Sequence, residues 1–118
     1  MTRQTLFVTT VLCFFILVSC QKESGQEPFN YANDTPSWLK DRIAIMSNDT
    51  TRLYAQTKVY RYNWHSAFVY YISIPLSSCM YCDVYDQEGN RIQFTGDAML
   101  QDFLNTRSNE VLIWQSAT

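Results

Sequence analysis

Apolar and polar positions follow three different patterns along the chain. Residues 6 to 18, L-F-V-T-T-V-L-C-F-F-I-L-V, form a largely apolar run with no helical or strand-like alternation. From 36 the period becomes helical: Trp38, Leu39, Ile43 and Met46 share one face, while Lys40, Asp41 and Arg42 occupy the other. With Thr35 as N-cap, Pro36 in the first turn and Ser47-Asn48-Asp49 as the stop, this predicts a helix over 36–47. From 57 the period falls to two. T-K-V-Y-R-Y-N-W and A-F-V-Y-Y-I-S-I read as antiparallel strands joined by a turn around 63–66, and Pro75 ends the second by removing a ladder donor. Residues 81–86 and 91–95 predict a second hairpin, with Gly89 supplying the positive φ of its turn. Gly96-Asp97 opens a second helix with Met99, Leu100, Phe103 and Leu104 on one face, and V-L-I-W at 111–114 forms a last strand. The expected fold class is α+β: an N-terminal helix packed on an antiparallel meander sheet of about five strands, a second helix before the last strand, and both helices on one face of the sheet.

The first apolar run is shorter than the roughly 20 residues that span a bilayer. Preceded by Arg3 and followed at once by polar residues, it has the form of a signal peptide over 1–19. Its end, Leu17-Val18-Ser19-Cys20, resembles a bacterial lipobox, which implies that Cys20 is acylated and becomes the mature N-terminus. Residues 20–34 then read as the lipidated cysteine and a flexible tether, and 35–118 as a single domain. Stable attachment generally takes two acyl chains or two signals, a condition that a diacylated or triacylated cysteine meets. The bilayer is thus an expected partner through Cys20, without a span. Lys22-Glu23 resembles the charged export signals of surface lipoproteins in Bacteroidetes-type bacteria. The expected location is the cell envelope, anchored to the outer membrane and facing either the periplasm or the surface.

Composition narrows the function. Residues 1–19 hold one basic and no acidic side chain, so the mature chain carries a net charge of −3. With no basic cluster, nucleic acid is not an expected partner. Eight Tyr, four Phe and three Trp remain after residue 19, and their large buried areas offset the modest core of so small a domain.

Candidate chemistry centres on Cys79-Met80-Tyr81-Cys82. Redox-active pairs place the attacking cysteine at a helix N-terminus, whereas these lie between Pro75 and a predicted strand. A zinc site needs three or four ligands, and His65 is the only other candidate here. Haem attachment needs a histidine where Asp83 stands. An exported protein meets an oxidising compartment, so the pair is read as a local Cys79–Cys82 disulfide, with an envelope thiol-disulfide oxidoreductase as the alternative. Asp83, Asp86, Glu88 and Asn90 lack calcium-loop spacing and read as a solvated turn. His65 has no carboxylate or serine at a meaningful spacing, so no catalytic residue, metal or cofactor is expected. Asp49-Thr50-Thr51 is similar to a three-residue O-glycosylation motif of exported Bacteroidetes-type proteins.

On a sheet covered on one side, alternate aromatics face away from the helices. Tyr60, Tyr62, Trp64 and Tyr70 are therefore the candidate binding face, for a protein or glycan ligand, although cross-strand aromatic pairs also stabilise sheets in their own right. The succession W-L-K-D-R-I, V-Y-R-Y-N-W, F-V-Y-Y-I, a cysteine pair and V-Y-D-Q-E-G-N-R-I resembles, over about 36–95, an uncharacterised family of small Bacteroidetes-type envelope lipoproteins. That resemblance implies no activity. The functional expectation is a non-enzymatic binding or interaction module of the envelope.

Overall fold

A computed structural model describes residues 28–118; the expected signal peptide, Cys20 and most of the tether lie outside the described residues. The elements are helix α1 (Tyr31–Asp34), helix α2 (Ser37–Asn48), strands β1 (Lys58–Trp64), β2 (Ala67–Ser73) and β3 (Val84–Tyr85), helix α3 (Asp97–Thr106) and strand β4 (Ser108–Gln115). The fold is α+β, with one antiparallel sheet of four strands in the order β3-β2-β1-β4.

The strand count corrects the expectation of about five. Residues 91–95 pair only through a single bridge, Arg91 to Tyr85, so the expected second hairpin shrinks to β3 and a turn. What holds that turn is local. Asp86 Oδ1 accepts the backbone N–H of Glu88 (3.0 Å) and of Asn90 (2.9 Å), and Gly89 takes a φ of 87°. A second difference lies in the stretch read as tether, where Tyr31–Asp34 form one helical turn. Asn30 Oδ1 caps this turn from Asn33 N–H, and the turn is tied to α2 by Lys40 donating to the Ala32 carbonyl. Helix α2 starts one residue later than expected, with Pro36 rather than Thr35 at its N-cap position.

The largest correction concerns layering. Leu39, Ile43 and Met46 of α2 pack on Val59, Tyr70 and Ile72. Phe103 of α3 packs on Tyr62, Trp64 and Val69. Successive residues of a strand point to opposite faces. Val59 against Tyr62 in β1, and Tyr70 against Val69 in β2, thus place α2 and α3 on opposite faces of the sheet. The protein has three layers with two cores, not two helices on one side.

Hairpin β1–β2 turns through His65 and Ser66, both at positive φ (49° and 61°), after the closing pair Trp64–Ala67. Two left-handed residues in sequence fit the right-handed twist of the strands. Asn and Gly are the usual occupants, so His65 needs a compensating contact, which the site below supplies. At the other edge, β4 slips register twice against β1, and Ile113 and Trp114 both join the α2 core.

Candidate functional site

Three-layer packing decides the fate of the expected binding face. Tyr62, Trp64 and Tyr70 are all buried, and only Tyr60 remains half-exposed. Tyr62 and Trp64 lie under α3, where both meet Phe103 edge-on at 6.0 and 5.4 Å between ring centroids. Tyr70 lies under α2, edge-on to Trp38 at 5.8 Å. These three side chains are core, which corrects the expectation of an exposed aromatic sheet face. The Tyr62 hydroxyl donates to Glu110 Oε1 (2.6 Å); burial, with that bond second, pushes its pKa far above the ordinary phenol value.

Cys79 and Cys82 are paired as a disulfide, with Cα atoms 5.6 Å apart. Neither is in a helix; they flank a turn in which Tyr81 has φ 60° and its ring packs 4.9 Å from Tyr71.

His65 has a partner that its sequence spacing concealed. Its Nε2 lies 2.6 Å from Oδ2 of Asp102, 37 residues away on α3, and Trp64 Nε1–H donates to the same oxygen at 3.1 Å. The imidazole also stacks on the Trp64 indole, 4.2 Å between centroids. These contacts fasten the β1–β2 turn to α3 and compensate the left-handed backbone. The hollow beside it, about 330 Å³, is bordered by Ala67, Val69, Gln87 and Glu88 and presents no hydroxyl or thiol nucleophile to the histidine. Among the described residues no cluster of three or more His, Cys, Asp or Glu could hold a metal ion. Thr51 of the Asp49-Thr50-Thr51 motif is exposed, and its hydroxyl bonds the Asp49 carboxylate.

A different hollow combines the features of a ligand site. It lies where the chain enters the domain, between the α1–α2 junction and the Arg61–Phe68 end of the β1–β2 hairpin, with a volume of about 330 Å³. Its wall includes Asn33, Asp34, Thr35, Arg61, Tyr70 and Gln87. Two residues of that wall carry a buried polar atom, Thr35 Oγ1 and Arg61 Nε, with no hydrogen-bond partner among the described residues, as do Thr57 Oγ1 and Arg107 Nη1 elsewhere. The Arg61 guanidinium lies over Phe68 and Phe29, 4.2 and 4.9 Å from the ring centroids. Stacking of this kind occupies the faces of the guanidinium and leaves its N–H edge for other partners. Asp34 accepts from Asn30 N–H at 2.7 Å. Burial raises the pKa of Tyr70, so its hydroxyl stays protonated through the neutral range.

Sequence reasoning passed over Arg61, Thr35 and Phe68 because each has an ordinary local explanation: an alternating strand position, a helix cap, a strand apolar. Only the covering of that sheet face by α1 and α2 brings them together.

Comparison with protein-family models, with curated proteins and with solved structures finds no match to this chain. Among the described residues no helix is long and apolar enough to cross a membrane.

Proposed function

We propose that the protein is a lipid-anchored envelope lipoprotein of the Bacteroidetes type, and that its domain is a non-enzymatic binding module. The anchor rests on the lipobox-like Leu17-Val18-Ser19-Cys20 closing a signal-like segment. The binding role rests on one observation, a hollow whose wall sets the Arg61 guanidinium, stacked on Phe68 and Phe29 and in no ion pair among the described residues, beside Asn33, Asp34 and Gln87. A hollow of some hundreds of cubic ångströms with a few convergent polar groups also suits a small ligand or the end of a glycan or peptide.

Thermal melting of the detergent-solubilised full-length protein against a panel of glycans and peptides tests the binding role. A cognate compound should raise the Tm of the native protein but not of Asn33→Trp, which fills the mouth from an exposed position. Equal response of the two proteins, or no response across the panel, would remove the hollow from consideration. For the anchor, Cys20→Ala should abolish fatty-acid labelling, and retained label would sink it.

A further inference from the structure

We infer that the hollow takes a carboxylated sugar, a uronic acid unit in chemical terms, with the carboxylate on Arg61; this rests on the binding role proposed above. Arg61 is the only cation on the wall, and it belongs to neither ion pair formed among the described residues, His65–Asp102 and Arg91–Asp83. A half-buried guanidinium without a counter-ion is costly, and its planar N–H edge matches a carboxylate in a two-bond fork. The stacking on Phe68 and Phe29 fixes the plane in advance, so less side-chain freedom is lost when the anion binds.

The rest of the wall argues for hydroxyl groups on the same molecule. Asp34 is a pure acceptor, which repels a bare anion but receives hydroxyl donors. Asn33 and Gln87 each offer a donor and an acceptor. Acetate satisfies Arg61 and leaves these groups unmet, whereas glucose satisfies them and leaves Arg61 unmet. A sugar acid answers both sets, and about 330 Å³ suits one sugar unit.

Isothermal titration of the full-length protein in detergent with D-glucuronate, D-glucose and acetate provides the test. Glucuronate should bind about tenfold or more tighter than either of the others, as expected for a charge-assisted pair added to neutral contacts. Arg61→Gln should bring glucuronate to the level of glucose. Gln87→Ala should weaken both sugars alike and preserve their ratio. Glucose binding as tightly as glucuronate would overturn the carboxylate assignment while leaving the binding module standing. Acetate binding as tightly as glucuronate would overturn the sugar assignment. No heat from any of the three overturns the ligand class, and the Asn33→Trp comparison then judges the binding module separately. The three-ligand comparison needs only the native protein, so it holds even where a variant fails to fold.

Discussion

Gly89 and Trp38 offer the sharpest check on how the β3 turn is built. Gly89 has φ 87°, a region in which an L side chain is strained by about 1–2 kcal/mol. A Cβ at that position would come within 2.9 Å of Trp38 Cδ2 and 3.0 Å of its Cγ, so the indole must move. Moving it endangers the bond from Trp38 Nε1 to the Gln87 carbonyl (2.9 Å), worth about 1 kcal/mol net, and the edge contact with Tyr70. Gly89→Ala should therefore cost about 2–3 kcal/mol, of which roughly half is backbone and half is the ring.

Urea unfolding in a double-mutant cycle separates the two parts. With an m-value near 1 kcal/mol per molar, Gly89→Ala should lower the midpoint by about 2 M or more. In a Trp38→Leu background the ring is gone and the same substitution should cost only the backbone part, giving a coupling of about 1 kcal/mol. Strict additivity would refute the contact, and an unchanged midpoint for Gly89→Ala alone would refute the turn.

Three further expectations follow from the geometry. Cys79→Ser/Cys82→Ser should fold with a loss at or below about 2 kcal/mol, because the loop closed is so short, and with faster amide exchange over 75–82; two alkylatable thiols in every native molecule would instead rule out the crosslink. The redox potential of the pair should be deeply reducing, and a value in the range of known oxidoreductases would revive the enzyme reading. Backbone bonds from Asn90 first, with smaller ones from Glu88 and Gly89, hold the Asp86 carboxyl below its ordinary 3.8. A depressed acid contributes stability above its unfolded value and loses it as pH falls through the folded one, so acid melting below about pH 4 should be shallower in Asp86→Asn than in the native protein. Parallel melting of the two would count against that turn.

Much of the fold was legible because local signals carried it. Trp38, Leu39, Ile43 and Met46 at helical spacing located α2, and the period-two runs over 57–64 and 67–74 located β1 and β2. Gly89 marked its turn, and Met99 to Leu104 marked α3. The layering was not legible. An aromatic-rich alternation such as Y-R-Y-N-W reads identically whether its second face meets water or a helix, since tyrosine suits both. Whether α3 crosses to the far face is set by the path of 86–96, in which Ile92 and Phe94 pack beneath α3 rather than forming a strand. No residue pattern in that segment announces the choice. His65 and Asp102 meet only as a consequence of it.

Covering both faces also determines where a ligand can be held. The twelve residues of α2 run for roughly 18 Å, whereas a seven-residue strand runs for roughly 23 Å. Helix α2 therefore cannot shield all of its face, and the Arg61–Phe68 end is left to α1 and Phe29. Those two elements are short, and they bring a polar wall where the rest of that face has Leu39, Ile43 and Met46. On the opposite face the Arg107 guanidinium is packed over Tyr62, Phe103 and Tyr81 at 4.5, 5.0 and 5.4 Å. With Cys20 acylated as proposed, fifteen residues separate the anchor from Thr35, and even a fully extended chain spans only about 50 Å. A ligand at Arg61 would then be held within about that distance of the anchoring surface.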